Sequence, residues 1–232
     1  MKAMIFAAGE GRRMRPLTIS TPKPLLCVGS QSLLEHQIRK LIAAGVRDIV
    51  VNAAYLSEQI EAALGAMSLG NVRCKISLES EPLETGGGLL RALPMLGDDP
   101  FILVNADIWH DYDFSALSVY SLPGSVLAHL VLVPNPDHNL AGDFGIDRSG
   151  RCTIDQHEGD QRFTFSGVSL MRPELIERYS RKRYKFPLVE ALVEAMSKKV
   201  VTAEVHRGAW LDIGTEERLF AANSLYLNAS DD

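Results

Sequence analysis

Short, strongly apolar runs alternate with segments of helical period along this chain, and that alternation constrains its fold more than any other feature. Such a pattern builds βαβ units around a mostly parallel sheet covered on both faces. The first run is Met4-Ile5-Phe6-Ala7-Ala8. A helix is expected from about Ser32, because Ser32 and Glu35 have capping-box spacing, Leu34, Ile38, Leu41 and Ile42 share one face, and Gly45 stands where a helix would stop. A strand follows at residues 48–52, a short helix at 57–64, a strand near 72–78, a helix after Gly86 and a buried strand at 101–105. From Val126 onward the pattern loosens into strands with a turn at 147–150, a strand at 163–171, helices near Pro173 and Pro187, and a last helix after Thr215. The expectation is one α/β domain over residues 1–232, with a Rossmann-like, mixed but mainly parallel sheet flanked by helices. Its first half spans about residues 1–115 and its second half about 116–232, without an internal repeat or long linker.

Charge and cysteine content exclude several functions. With 24 Lys and Arg against 29 Asp and Glu, the chain has no basic excess to neutralise a nucleic-acid backbone. Three cysteines without CxxC spacing support neither a disulfide framework nor a zinc site. No apolar run is long enough for a membrane span or a secretory leader, so a cytoplasmic protein is expected. Nothing in the sequence specifies an oligomeric state. The six histidines show no paired or HExxH spacing, and Ser166 lacks the GxSxG elbow of a serine hydrolase.

Between the first strand and the first helix lies Ala7-Ala8-Gly9-Glu10-Gly11-Arg12-Arg13-Met14-Arg15-Pro16-Leu17-Thr18, followed by Pro22-Lys23-Pro24-Leu25. A glycine loop at the carboxyl end of a strand lets backbone N–H groups approach phosphates, and the accompanying cations would stabilise charge on a transferring phosphoryl group. A dinucleotide fingerprint needs a third glycine where Met14 stands, and a Walker loop needs Gly-Lys-Ser/Thr after four spacers; both fail. A plain surface turn would account for the two glycines, but not for a lysine held between two prolines.

This long segment resembles the signature of the sugar-1-phosphate nucleotidyltransferases, the nucleotide-sugar pyrophosphorylases, and the resemblance extends over nearly the whole chain. It implies the nucleotide-diphospho-sugar transferase type of fold. It also implies that Ala7, Ala8, Gly9 and Gly11 face the nucleotide, and that Arg13 and Lys23 are catalytic, holding the triphosphate and the attacking sugar phosphate. Arg12 and Arg15 are weaker candidates. Glu79-Ser80-Glu81-Pro82-Leu83-Glu84-Thr85-Gly86-Gly87-Gly88 is similar to the family's base-binding segment, in which a Gln or Glu, here Glu81, precedes by five residues a glycine that hydrogen-bonds the base. Glu81, Thr85, Gly86 and the strand-end Asn105 are therefore nucleotide-binding candidates.

Asp107 and Asp212 each follow an apolar run, where α/β enzymes place ligands. Two aspartates converging on a phosphate would hold Mg²⁺ as the family does; here Ala106 replaces the usual glycine before Asp107. Asp143, Gly145, Ser166 and Gly167 resemble sugar-binding strand turns. The Glu-Lys-Pro that often sits between them is missing, which leaves Glu158, with Asp155 and Asp160 as rivals, for that place. Residues 105–114 and Arg207-Gly208-Ala209-Trp210 look most like the N-acetylmuramate-1-phosphate uridylyltransferases of bacterial cell-wall recycling. The expected partners are UTP and a sugar 1-phosphate, with no nucleic acid and no membrane. Mannose-1-phosphate guanylyltransferase is the second reading within the family, and a non-catalytic nucleotide-sugar binding protein the reading from another class. A lactyl carboxylate on the acceptor would need a cation, for which Lys185, Arg162 and Arg207 are candidates.

Overall fold

The computed structural model describes residues 1–154 and 161–230. The first half runs β1 (Lys2–Phe6), the small hairpin β2 (Cys27–Val28) and β3 (Gln31–Ser32), α1 (Leu33–Ala43), β4 (Asp48–Ala53), α2 (Ser57–Ala66), β5 (Arg73–Leu78), α3 (Glu84–Leu96), β6 (Phe101–Asn105), β7 (Ile108–His110) and α4 (Ser115–Val119). The second half adds β8 (Ala128–Val133), β9 (Phe144–Ile146), β10 (Cys152–Thr153), β11 (Arg162–Met171), α5 (Glu174–Glu177), α6 (Leu188–Ser197), β12 (Val201–Val205), β13 (Trp210–Asp212) and α7 (Glu216–Ser230).

Among the described residues nine strands form one mixed sheet shared by both halves, with β5, β4, β1 and β6 parallel and β11 running antiparallel beside β6. Strands buried on both faces read as continuous apolar runs, and β6 shows why: Phe101 and Leu103 point into a core under α3, α5 and α6, whereas Ile102 and Val104 point into a core under α1 and α2. The sequence expectation of a mainly parallel sheet with helices on both faces holds. Ser32 caps α1, its hydroxyl accepting the Glu35 N–H at 3.1 Å, and Gly45 ends the helix with φ +85°.

The helix expected after Gly86 begins earlier, at Glu84. Its first donors have tertiary partners: the Phe186 carbonyl accepts from Gly86 and Gly87 N–H at 2.9 and 3.1 Å. Those bonds satisfy amide groups that a helix end leaves open, so the glycines lie inside the first turns.

From β1 the chain crosses to β4 and β5 on one side, then returns through α3 to β6 on the other. The order reverses between β1 and β6, and the crevice at such a switch point is where open α/β sheets bind ligands. A third cluster, with Met14, Val28, Leu33, Ile213 and Ala222 all buried, fastens the loop after β1 to the segment after β13 and to α7. This packing brings the two ends of the chain to one place.

Candidate active site

The crevice is a cleft of about 380 Å³, lined on one wall by residues 6–9 and 11–14 with Lys23 and Pro24, and on the other by Asn52, Glu79, Pro82, Glu84 and Thr85. Asn105, Asp107 and Gly214 lie along it as well. Of the residues singled out in the sequence, Ala7, Ala8, Gly9, Gly11, Arg13, Lys23, Thr85, Asn105 and Asp107 line this one cleft.

Gly11 sits at φ +61°, and a Cβ there would stand 3.0 Å from Lys23 Cβ and Thr18 Cγ2. Only glycine meets both demands without strain. The turn is fixed by Met14 N–H and Thr18 Oγ1, which donate to the Gly11 carbonyl at 2.8 and 2.9 Å. The three arginines differ in their freedom. Arg12 is forked onto Glu10 at 2.7 and 3.0 Å, a contact that holds the Glu10 carboxyl below its usual range, and Arg15 lies 3.8 Å from the same carboxylate. Arg13 is exposed, lines the cleft and has no carboxylate partner among the described residues.

Lys23 opens a 3-10 turn (Lys23–Leu25) set by the flanking prolines. Its side chain is only 9 % exposed and is ion-paired with Asp107. Asp107 follows β6, whose last residue Asn105 lies beside Phe6 of β1, and Ala106 N–H donates to the Phe6 carbonyl at 3.0 Å. Asp212 reaches the same place from the other end of the chain: β13 pairs with β7 so that Asp212 faces Ile108, and Ile213 N–H donates to the Asp107 carbonyl at 2.8 Å. The backbones of the two aspartates are thus neighbours at one end of a two-stranded ribbon, Asp107 just before β7 and Asp212 at the end of β13, but Asp107 lines the cleft and Asp212 does not.

At the far end of the cleft the structure departs from the sequence reading. Glu81 is exposed, outside the cleft lining, with Lys185 Nζ 4.0 Å away. Gly86 is buried behind the lining, and its N–H is already taken by the Phe186 carbonyl, so it is not free for a base. Thr85 remains in the cleft, its hydroxyl accepting Leu188 N–H at 2.8 Å. The carboxylate that does face the cleft is Glu79, 3 % exposed. Its Oε1 accepts from Asn52 Nδ2 at 2.7 Å and its Oε2 from Leu83 N–H at 2.9 Å, while Asn52 Oδ1 accepts from Ala7 N–H at 2.8 Å. Burial pushes the Glu79 carboxyl above its usual range, against those hydrogen bonds. Sequence reasoning missed Asn52 and Glu79; Asn52 is the polar residue near the end of an apolar strand, as Asn105 is, whereas the strand before Glu79 carries Arg73, Lys75 and Ser77 and gives no such signal.

The expected sugar-side residues gather around β9 and β11, with their polar groups already engaged. Asp143 accepts from Asn139 Nδ2 at 3.1 Å and Phe165 N–H at 2.8 Å. Ser166 Oγ donates to the Val131 carbonyl at 2.6 Å and accepts Val168 N–H at 3.1 Å, which pins the irregularity in the β8–β11 pairing. Gly167 has φ +83° and packs against Asn105, whereas Gly145 lies in β9. Glu158, Asp155 and Asp160 lie outside the described residues. Of the candidate cations, Arg162 is spent on the carbonyls of Asp143 and Ile154, while Arg207 and Lys185 are exposed.

A family model described as nucleotidyl transferase matches residues 2–148. The chain is 44% identical to N-acetylmuramate alpha-1-phosphate uridylyltransferase of Neisseria meningitidis, across 97% of this chain and 98% of that one. It is 30% identical to mannose-1-phosphate guanyltransferase of Aspergillus fumigatus, with 99% of this chain matching 65% of that longer protein. Among solved structures, HddC from Yersinia pseudotuberculosis complexed with GMP-PN superposes with a TM-score of 0.78 at 23% identity, over 97% of this chain and 99% of that one. A UDP-glucose pyrophosphorylase complexed with UDP-glucose gives 0.80 at 17%, over 98% of each chain. These last two establish the fold.

Proposed function

The chain belongs to the nucleotidyl transferase family and is a sugar-1-phosphate nucleotidyltransferase, and from that premise we propose that it transfers uridylyl from UTP to N-acetylmuramate 1-phosphate. The products are UDP-N-acetylmuramate and pyrophosphate, in bacterial cell-wall recycling. The relative that matches along both whole chains bears that activity in its name. The observation that supports the chemistry is the shielded Lys23–Asp107 pair in the cleft beside the glycine turn, with the Asp212 backbone joined to that of Asp107 through the β7–β13 ribbon.

An oxygen of the acceptor phosphate attacks the α-phosphorus of the nucleotide in line. The new P–O bond forms as the bond to the bridging oxygen breaks, and pyrophosphate leaves with its electron pair; no covalent enzyme intermediate is needed. Lys23 places a shielded positive charge where the two anions meet, lowering the repulsion that opposes their approach. Arg13, free of any carboxylate among the described residues, can follow the departing pyrophosphate, and the backbone around Ala7, Ala8, Gly9 and Gly11, which lines the cleft, offers a wall for the phosphates. Asp107 and Asp212 offer oxygen atoms only, and among the described residues no group of three or more metal-ligating side chains gathers. Two carboxylates completed by phosphate oxygens and water make a donor set that fits Mg²⁺. When bound there, the ion would supply charge neutralisation at the phosphates.

No helix among the described residues is long and apolar enough to cross a membrane. The cysteines Cys27, Cys74 and Cys152 are unpaired, which supports work in a reducing compartment such as the cytoplasm. A non-catalytic binding protein would be expected to have lost the lysine or one aspartate, and all three are in place. Pyrophosphate release from four nucleotides against a panel of sugar 1-phosphates tests the reading. UTP with N-acetylmuramate 1-phosphate should give the highest kcat/KM; a maximum at GTP with mannose 1-phosphate would replace it with the guanylyl activity named for the longer relatives.

A further inference from the structure

Each of the two aspartates proposed as metal ligands already has a cation of its own. Asp107 is ion-paired with Lys23, and Asp212 with Arg218 from the first turn of α7. The second pair is shielded, the Arg218 and Asp212 side chains being only 18 % and 25 % exposed, so solvent screens it less than an ordinary surface pair. His138, from the 3-10 turn before β9, completes the cluster with Nε2 2.8 Å from Asp212 Oδ1 and 2.9 Å from Arg218 Nη1. The guanidinium also packs against the cleft wall. Its Nη2 lies 2.6 Å from where a Cβ on Gly214 would stand, and Gly214 is part of the cleft wall.

Two carboxylates matched by two resident cations leave little net attraction for a further divalent ion. A polyphosphate brings the missing negative charge. We infer that Arg218 is a resident competitor for the metal position at Asp212: it holds that carboxylate in the nucleotide-free enzyme and yields it when a divalent cation arrives with the nucleotide. Metal and nucleotide binding are thereby coupled through a residue that touches neither the α-phosphorus nor the base. Arg218 is a positioning residue, acting through Asp212, and the inference rests on the proposal that Asp107 and Asp212 hold the metal.

Binding of Mn²⁺ to the full, nucleotide-free chain, followed by the electron paramagnetic resonance of the free ion, reads the competition without turnover. Arg218→Gln should tighten Mn²⁺ binding about tenfold, within the usual range of coupling between linked sites. Arg218→Lys, which keeps the charge, should stay near wild type, and the gain should vanish in the double variant Arg218→Gln/Asp212→Asn. A merely structural arginine would leave Mn²⁺ affinity unchanged or lower it. Unchanged or weaker binding by Arg218→Gln with a wild-type circular dichroism spectrum overturns the inference, as does a gain that persists in the double variant. A separate assay isolates the premise: Asp212→Asn releasing pyrophosphate at the wild-type rate removes the metal assignment itself, and the inference with it.

Discussion

Asn52 Nδ2 donates to Glu79 Oε1 at 2.7 Å, joining the ends of two adjacent parallel strands at the inner wall of the cleft. The same pair holds Ala7 N–H on one side and Leu83 N–H on the other, so the glycine loop, the end of β4 and the turn into α3 share one buried polar link. Glu79→Ala would leave the Asn52 amide and the Leu83 N–H without partners in a buried site. At about 1–3 kcal/mol for each of the two orphaned groups, the loss should be roughly 2–6 kcal/mol. Urea unfolding should show a lower midpoint with an unchanged slope. A midpoint equal to wild type would mean that the link contributes nothing to the wall.

Lys23 and Arg13 differ in what they are bound to, and their variants should differ accordingly. Lys23→Ala should lower kcat by ~10²–10³, the effect expected on removing a preorganised charge at the reacting phosphates. The fold should survive, because Asp107, its side chain 38 % exposed, can take water as partner. Arg13→Ala should leave the melting temperature unchanged, since this exposed side chain has no partner among the described residues to lose, and should lower kcat/KM for the nucleotide. Arg12, neutralised by Glu10, should matter less. Equal losses in Arg12→Ala and Arg13→Ala would refute the distinction.

His110 gives the protein an acid-side weakness. It is 2 % exposed, and its Nε2 lies 2.9 Å from Gln37 Oε1; Gln37 Nε2 in turn donates to the Ile108 carbonyl at 2.7 Å. The Gln37 oxygen is therefore the acceptor, and the imidazole carries its proton on Nε2, leaving Nδ1 without a hydrogen-bond partner among the described residues. Burial lowers the His110 pKa from 6.5 to about 3. Between those values the unfolded chain takes up a proton that the folded chain refuses, so stability falls as pH drops below 6.5. The contribution of this one group approaches ~1.4 kcal/mol per pH unit. Denaturant unfolding at pH 7, 6 and 5 should give a flatter pH dependence for His110→Phe than for wild type; parallel curves would assign the acid sensitivity elsewhere.

The sequence revealed most where one residue type and one position carried the meaning. The cap at Ser32, the glycine turn before Arg13 and the strand at residues 101–105 are local statements, set by spacing and period within a dozen residues, and the structure repeats them. The apolar runs before Asp107 and Asp212 mark each as a strand end, but the pairing that brings their backbones together depends on β7 and β13, three-residue strands too short to show a period. The start of α3 was misplaced for a related reason: glycines discourage a helix locally, and the Phe186 carbonyl that satisfies Gly86 and Gly87 comes from a segment a hundred residues away. The five-residue spacing to Gly86 singles out Glu81 over Glu79, two residues earlier, because nothing local says which carboxylate is buried. Which of them faces the cleft depends on the hydrogen bond to Asn52, and that is a tertiary fact.

The two glycines singled out on the acceptor side should respond very differently to an added methyl group. At Gly145 a Cβ would meet nothing closer than Thr153 Cγ2 at 3.3 Å, and the residue sits in a strand, so Gly145→Ala needs only a few tenths of an ångström from a flexible neighbour. At Gly167 the backbone has φ +83° and a Cβ would stand 2.7 Å from Asn105 Nδ2. Gly167→Ala must therefore pay for a left-handed alanine, about 1–2 kcal/mol, and also displace a side chain that lines the cleft. The expected result is a lower melting temperature and a higher KM for the nucleotide in Gly167→Ala, with both near wild type in Gly145→Ala. If the two variants instead raise the sugar phosphate KM alike while leaving the nucleotide KM alone, the packing of Gly167 on Asn105 is not what its glycine is for, and both residues act directly at the acceptor.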